Sequence, residues 1–318
     1  MLKKFIRRCI DFVVEPFVNG VLAGKVSRNL NRIITDSAEQ QTFKRLDEIG
    51  AVDKGMQILL SLKYKEMLRN GDPLPSFDEV QFRAFSQTGE DGLLLFIFSL
   101  IGTTNEKCVE VAAGNGFECN TANLIINHGW HGLLFDGDEK NIKMGQQFYS
   151  NCSDTRIWPP TLVHDWITSE TINDLIRKNY VEGEVDLLSL DLDGNDYWIW
   201  RAIDCIDPRV VIVEFDNEWD SDMCVTQRYD PNYVWDSRSA AGASLAAFVK
   251  LGRQKGYRLV GSQRLCFNAV FLRNDVGQDI FPEVPIDDCL DHPLPQYRIA
   301  MRNAELKTKS LNGKWVKV

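Results

Sequence analysis

Carboxylate and amide side chains collect where two apolar stretches of the chain end. One stretch leads into Asp191 and Asp193, and the next leads into Glu214, Asp216 and Asn217. Because the carboxyl ends of parallel strands meet at one edge of a sheet, we expect these side chains to lie close together. Carboxylates in one place repel one another unless a cation or a basic substrate lies among them, so the pattern predicts a cation site. A solvated loop of acids is the alternative.

A turn of small residues has the pattern of a cradle for a nucleotide-like ligand. An apolar stretch ends at Glu110, Ala112, Gly114 and Gly116 follow, and a helix is predicted to begin near Asn120. The missing side chains let a ligand touch the backbone, and the N-terminus of a helix offers unpaired N–H groups. An ordinary strand-to-helix turn is the alternative.

The residues that follow the turn favour a ligand that contains adenosine. A dinucleotide fingerprint needs a third glycine at the position where this chain has Cys119. The next strand ends on Asp136, where doubly wound folds place a carboxylate that accepts hydrogen bonds from ribose hydroxyls. After a third strand, Asp165 can accept from an adenine amino group, and Trp166 or Ile167 can cover the ring.

Composition excludes several classes of protein. The formal net charge of −9 over 318 residues argues against non-specific nucleic-acid binding, so we expect no nucleic-acid partner. The hydrophobic content of 44% is ordinary for a soluble globular protein. The 8 cysteines include no Cys-x-x-Cys pair, which leaves neither a zinc-site spacing nor a disulfide framework and predicts a reducing, cytoplasmic location.

The N-terminal segment predicts a basic amphipathic helix over residues 1–22. Lys4 and Arg8 share one face of it, and Phe5 and Ile10 share the other. Such a helix can lie in a membrane interface, which would bind the protein peripherally at the inner face of the membrane. Packing on its own protein, or on a second subunit in a homo-oligomer, is the alternative. No apolar stretch approaches the ~20 residues that a spanning helix needs.

The chain divides into three predicted segments. Apolar residues at helical spacing predict helices over 27–50 and 53–70, so residues 1–75 form a helical appendage. Strands and helices alternate through 76–275, and a polar tail, 276–318, follows. The last two strands of the middle segment are joined by a short turn, so we expect them to pair antiparallel. The predicted fold is α/β, a doubly wound, mostly parallel seven-stranded sheet with a C-terminal antiparallel hairpin.

Several stretches of the middle segment resemble the FkbM-type class I methyltransferases that use S-adenosylmethionine (SAM), in particular the bacterial branch with a Ser-Gln-x-Gly-Glu-Asp start. The stretches, spread over roughly residues 80–273, are Ser86–Gly92, Cys108–Gly116, Asn120–Thr121, Gly129–Asp136, Leu190–Trp198 and Gly256–Gly261. There are two departures from the family pattern. Ala112 replaces a glycine, and Asp191–Asp196 stands where the family usually has Asp-x-Glu-Gly-x-Glu.

The resemblance implies a Rossmann-like fold, SAM as cofactor, and O-methylation, often of a sugar hydroxyl in a bacterial surface glycan or a natural product. The predicted acceptor is accordingly a small molecule or a glycan. The predicted cofactor-binding residues are Gln87, Glu90, Glu110, Ala112, Gly114, Gly116, Asn120, Asp136, Asp165 and Trp166.

Methyl transfer to a hydroxyl needs in-line positioning and removal of the alcohol proton. A divalent cation held by Asp191, Asp216 and Asn217 would lower the pKa of the hydroxyl, and metal-dependent O-methyltransferases resemble this layout. Oxygen-only ligands favour Mg²⁺, Mn²⁺ or Ca²⁺ over zinc. Without a metal, His164 or Asp191 is the predicted base, and a surface filler is the alternative for His164.

Two other functions stay open. A metal-dependent glycosyltransferase could use Asp191-Leu-Asp193 to hold a sugar nucleotide, although the glycine turn and the closing hairpin speak against it. A non-catalytic scaffold would keep the sheet and lose the cofactor groups, whereas Glu110, Gly114 and Asp136 are all present.

Overall fold

A computed structural model describes residues 54–235, 241–306 and 313–318. The helices predicted over 1–22 and 27–50 lie outside these residues. In the described part, no helix combines the length and the apolar character needed to cross a bilayer.

Seven strands form the central sheet, in the order β3-β2-β1-β4-β5-β8-β7. They are β1 (Lys107–Val111), β2 (His131–Asp136), β3 (Thr161–His164), β4 (Gly183–Leu190), β5 (Ile206–Glu214), β7 (Tyr257–Ser262) and β8 (Asn268–Arg273). The first five pair in parallel, and β8 runs antiparallel to both β5 and β7. The predicted fold class and its C-terminal antiparallel hairpin are therefore confirmed. A separate two-stranded sheet joins β6 (Val225–Gln227) to β9 (Trp315–Lys317).

Helices cover both faces of the sheet's strands, as crossover connections require. In the described part they are α1 (54–70), α2 (Phe77–Val80), α3 (Glu90–Ile101), α4 (Ala122–His128), α5 (Glu139–Asn151), α6 (Ile172–Lys178), α7 (Asp196–Ala202), α8 (Leu245–Lys255), α9 (Ile286–Cys289) and α10 (Pro293–Leu306).

The main core lies between the sheet and its helices. Strands buried on both faces are near-continuous apolar runs, and from Val185 to Leu190 every residue of β4 is buried. Trp200 of α7 packs on Phe248 of α8 and on Phe271 of β8, with ring centroids 6.1 and 5.1 Å away.

Helix α1 contacts α3 and α4. The Gln57 side chain, which is 2% exposed, exchanges hydrogen bonds with Asn123 and contacts the His128 ring nitrogen at 2.7 Å. Tyr64 packs edge-on against Phe96 at 4.9 Å. The predicted boundary after residue 75 stays a prediction, but α1 on its N-terminal side shares a packed interface with the helices that follow.

The C-terminal residues predicted as a polar tail contain α9, α10 and β9. Arg302 of α10 lies over the rings of Trp219 and Trp315 and pairs with Glu218. The tail thus holds the segment that follows β5.

Candidate active site

The turn after β1 is built from left-handed residues. Gly114 and Gly116 have φ of 57° and 74°, and Ala112 has φ of 62°. Left-handed backbone costs a residue with a Cβ about 1–2 kcal/mol, which explains why a glycine suits the Ala112 position. The turn is tied to β2 because the Ala113 N–H donates to the Phe135 carbonyl at 2.9 Å.

Helix α5 packs under the turn. A Cβ added at Gly145 would lie 2.5 Å from the carbonyl oxygen of Asn115, so only glycine allows this approach. The Tyr149 hydroxyl donates to the Gly116 carbonyl. Gly116, predicted to bind the cofactor, therefore lies on the buried side of the turn, and it is absent from the linings of the two cavities described below.

Glu110 positions the turn. Its buried carboxylate accepts from Asn120 N and Ser189 Oγ, both at 3.0 Å, and from Thr121 N and Oγ1 at 2.9 and 2.5 Å. The first turn of α4, β1 and β4 are thereby joined at one point. Glu110 lies at a cavity wall, but these protein donors already occupy its oxygens.

Asp136 stands at the end of β2, as predicted. Its Oδ2 accepts from Gly114 N at 2.9 Å, and its Oδ1 accepts from Asp138 N and Asn141 Nδ2 at 2.8 and 3.1 Å. A carboxylate offers about four lone-pair positions, so one remains for a ligand. The same bonds orient the carboxylate toward the turn.

The larger of two cavities at this edge has a volume of about 480 Å³. It is lined by the predicted residues Ala112, Gly114, Asp136, Asp165, Trp166, Ile167 and Asp191, and also by Gly137, Asp138, Leu192, Asp193, Asn195, Tyr233, Val234 and Trp235. Trp166 is 46% exposed and is held by a 2.6 Å hydrogen bond from its Nε1 to the Pro231 carbonyl. The aromatic loop 229–235 was not predicted to line the site, although its Tyr and Trp content was visible.

The smaller cavity, of about 260 Å³, shares Ala112, Gly114 and Asp191 with the larger one. Its other lining residues are Gln87, Thr88, Glu90, Glu110, Ala113, Glu118, Cys119, Asn120, Glu214, Phe267 and Asn268. Glu90 accepts from Thr88, Gly89 and Asn268, so it ties the start of α3 to β8. Gln87, by contrast, is exposed at the cavity wall.

Both cavities are acidic. No Lys, Arg or His lines either of them among the described residues, whereas the linings include Asp136, Asp165, Asp191, Glu110 and Glu214. A cavity lined by one sign of charge raises the local concentration of ligands of the opposite sign. This edge of the sheet therefore favours a cationic ligand.

Three carboxylates converge where the cavities meet. Asp191, Asp193 and Glu214 each place an oxygen within 4.8 Å of the others. Burial, reinforced by the charge of Asp196, raises the pKa of Asp191 to about 7. Burial, reinforced by the charge of Asp191, also raises the pKa of Glu214 well above its usual value.

Asp196 anchors the loop that presents Asp191 and Asp193. Its carboxylate accepts from Leu192 N at 2.7 Å and from Gly194 N at 3.0 Å. Asp193 has φ of 55°, a left-handed conformation that Asp adopts more readily than most residues other than glycine.

Two predicted metal ligands are engaged elsewhere. Asp216 accepts from Trp219 Nε1 and Glu218 N, at 3.0 and 3.1 Å. Asn217 donates to the Cys266 carbonyl at 2.8 Å and accepts from Arg298 at 3.0 Å. The chain bends after β5, so Glu214 is the residue of this segment that joins Asp191, and Asp216 and Asn217 support the bend.

His164 lies apart from the acidic group. It ends β3, two strands away from β1, and its Nε2 contacts the Gly137 carbonyl at 3.2 Å. Neither cavity lining includes it. The structure thus separates the two residues predicted as alternative bases.

Solved structures similar to the chain include the mitomycin 7-O-methyltransferase MmcR, at 15% identity, with 58% of this chain and 53% of that chain covered and a TM-score of 0.35. A SAM-dependent methyltransferase from Thiobacillus denitrificans, in complex with S-adenosyl-L-homocysteine (SAH), has 13% identity and a TM-score of 0.33. The match covers 51% of this chain and 61% of that chain. The N-terminal domain of EvdMO1 with SAH bound has 12% identity and a TM-score of 0.38, and the match covers 58% of this chain and 80% of that chain.

No protein-family model and no curated protein matches the chain. The chain spans between half and two thirds of the length of the first two structures, 53% and 61%. The fold assignment rests on the strand order and strand directions given above.

Proposed function

We propose that this chain is a SAM-dependent methyltransferase that transfers a methyl group to a hydroxyl of a sugar-containing acceptor. The observation that carries the proposal is the pair of acidic cavities that meet at Ala112, Gly114 and Asp191. SAM carries a positive sulfonium, a positive ammonium and a negative carboxylate group, so its net positive charge fits these walls. A dinucleotide or a sugar nucleotide carries a negative pyrophosphate, which the same walls repel.

The residues present fit the two ends of SAM. Asp136 can accept from a ribose hydroxyl, Asp165 can accept from the adenine amino group, and Trp166 can cover the ring in the larger cavity. The methionine end then fits the smaller cavity beside Gln87 and Asn120. SAM supplies the activated methyl group, and the residues of this chain bind and orient the partners.

Aromatic side chains at the mouth of the larger cavity support a sugar as acceptor. Trp235 is 43% exposed, and Tyr233 lies against Gly194 of the acidic loop. Aromatic rings offer rigid amphipathic surfaces on which a sugar ring can stack. The resemblance to FkbM-type enzymes adds a glycan or natural-product context to this proposal.

Asp191 marks the point of reaction because it lines both cavities. A hydroxyl bound there would lie at the junction of the two cavities, where the sulfonium of SAM joins its adenosine and methionine ends. Asp191 can receive the alcohol proton itself or hold a cation that acidifies the hydroxyl.

Thermal unfolding with ligands tests the proposal. SAM or SAH at a hundredfold above its Kd should stabilise the protein by about 2.7 kcal/mol, which raises Tm. NAD and a uridine-diphosphate sugar, each tested with and without Mg²⁺, should give the same Tm as the protein in the matching buffer without nucleotide. A rise in Tm with the sugar nucleotide and none with SAM would favour the glycosyltransferase alternative. No response to any ligand would favour the scaffold.

A further inference from the structure

We propose that the three carboxylates of Asp191, Asp193 and Glu214 bind a divalent cation of the Mg²⁺ or Mn²⁺ class. The proposal deepens the function proposed above, because an ion at this point would orient and acidify the acceptor hydroxyl. It replaces the ligand set expected from the sequence, since only Asp191 is common to both.

The distances suit a shared ion. One oxygen from each of the three residues lies within 4.8 Å of the others. Two oxygens on opposite sides of an ion at 2.0–2.4 Å are about 4–5 Å apart, so small side-chain adjustments bring all three into contact with one ion. Three protein oxygens leave positions on the ion for water and for a substrate hydroxyl.

Two buried amide oxygens near the cluster point independently to a ligand. Asn268, which is 8% exposed, is the direct cross-strand partner of Glu214 and lines the smaller cavity with Glu214 and Asp191. Its amide nitrogen donates to Glu90 at 2.9 Å, while its Oδ1 has no donor among the described residues.

Asn195 repeats this pattern on the other side of the cluster. It is 6% exposed and lines the larger cavity with Asp191 and Asp193. Its nitrogen donates to the Asp230 carbonyl at 2.8 Å, and its Oδ1 also has no donor within the described ranges. A buried acceptor without a donor is unfavourable, because the carbonyl oxygen has lost its water and gained no hydrogen bond in return. A hydrated cation offers both amides a donor through its bound waters.

The charges agree with this assignment. Among the described lining residues of both cavities there is no basic side chain that could neutralise the cluster. Carboxylates alone would oppose the alkoxide that forms on an acceptor hydroxyl. A bound divalent ion would make the local charge positive, so the same residues would hold an ion that stabilises the alkoxide.

The site is tested by measuring the binding of Mn²⁺ to the full chain with electron paramagnetic resonance, in the absence of SAM. We expect one ion per chain, with at least tenfold weaker binding in Asp193→Asn and Glu214→Gln. Asp216→Asn is the matched control, since it removes an equivalent charge from the alternative ligand set. No Mn²⁺ binding by the wild type, or loss of binding in Asp216→Asn alone, would overturn the proposal.

Thermal unfolding gives a second readout that a merely structural role would not produce. Removing one acid relieves repulsion, so metal-free Glu214→Gln should unfold at or above the wild-type Tm, while the Mn²⁺-induced rise in Tm disappears. A lowered metal-free Tm with the rise retained would contradict the site. Calorimetry with SAH on the same samples separates the two proposals, because SAH binding without Mn²⁺ binding removes only the metal.

Discussion

Ala112 keeps a side chain where the backbone is left-handed, with φ of 62°. The same residue lines both cavities, so the strained position in the turn after β1 is also part of the wall of the site. A single side-chain choice there influences stability and ligand access together.

We expect Ala112→Gly to change the free energy of unfolding by between zero and about +1 kcal/mol, because the relief of strain is partly offset by the greater freedom of glycine in the unfolded chain. Ala112→Val should lower it by more than about 1 kcal/mol, since a β-branched residue tolerates this conformation poorly. Urea denaturation measures both. Ala113→Gly is the control and should be destabilising, because Ala113 is buried at 4% exposure without a left-handed φ. Equal effects of the two glycine variants would contradict the argument.

A second prediction at this scale concerns Asp136. Its one remaining acceptor position can take a hydrogen bond from a ribose hydroxyl, which should contribute about 1.5–3 kcal/mol because the acceptor is charged. Asp136→Ala should therefore weaken SAH binding at least about tenfold in calorimetry. The variant also loses the bond to Gly114 N, so far-ultraviolet circular dichroism must confirm that it is folded. Asp174→Ala, an exposed acid on α6, changes the net charge equally and should bind as the wild type does. Wild-type affinity in Asp136→Ala would remove the ribose assignment.

At the scale of elements, α1 meets α4 through a polar contact that depends on pH. Burial, with a smaller contribution from the Lys54 charge, lowers the pKa of His128 to about 4. The unfolded chain therefore takes up a proton near pH 6.5 that the folded protein accepts only near pH 4.

The free energy of unfolding should consequently fall as the pH drops from 6.5 towards 4. His128 is partly exposed, so we expect a loss of about 1–2 kcal/mol at pH 5 relative to pH 7. His128→Gln should lose that part of the pH dependence, and Lys54→Met should reduce it. Urea titrations at pH 7, 6 and 5 measure the effect. If the free energy of unfolding changed with pH in the same way in the wild type and in His128→Gln, His128 would not contribute to the pH dependence.

The sequence predicted the elements better than their partners. The strands are short apolar runs, and β2 and β5 end on the acids Asp136 and Glu214, so these strand ends could be predicted from the sequence. The position of Asn268 opposite Glu214 could not be predicted, because the register of an antiparallel pair is set by contacts between residues far apart in the chain. The engagement of Asp216 and Asn217 by Trp219, Cys266 and Arg298 depends on the bend after β5 and on α10, which carries no pattern typical of a site.

For the whole molecule, the C-terminal residues complete a small second sheet. β9 is the strand partner of β6, and Trp315 packs on Trp219 with ring centroids 4.8 Å apart. Gln227 of β6 in turn accepts from Trp198 Nε1 at 2.8 Å, just beyond the acidic loop.

Removal of residues 313–318 should therefore lower Tm and weaken Mn²⁺ binding, because β6 loses its partner and the helix after the acidic loop loses support. Circular dichroism and paramagnetic resonance measure the two effects. Lys317→Ala keeps the strand and serves as the control. A truncated chain with wild-type Tm would show that β9 adds nothing to the fold.

The proposed membrane contact of residues 1–22 is tested on the intact chain. Full-length protein should sediment with vesicles rich in anionic phosphatidylglycerol, and a chain without residues 1–22 should stay in the supernatant. Added salt should reduce sedimentation, because basic residues supply part of the attraction. Failure of the full chain to sediment would favour an internal or subunit contact.

The acidity of the two cavities has a consequence for the exchange of cofactor and product. In the proposed reaction, methyl transfer turns a positive sulfonium into a neutral thioether, so SAH keeps the contacts to adenosine but loses the electrostatic attraction between the sulfonium and the acidic walls. The described linings contain no basic side chain to compensate. An enzyme built this way would resist inhibition by its own product, and raising the ionic strength would narrow the difference between the two affinities.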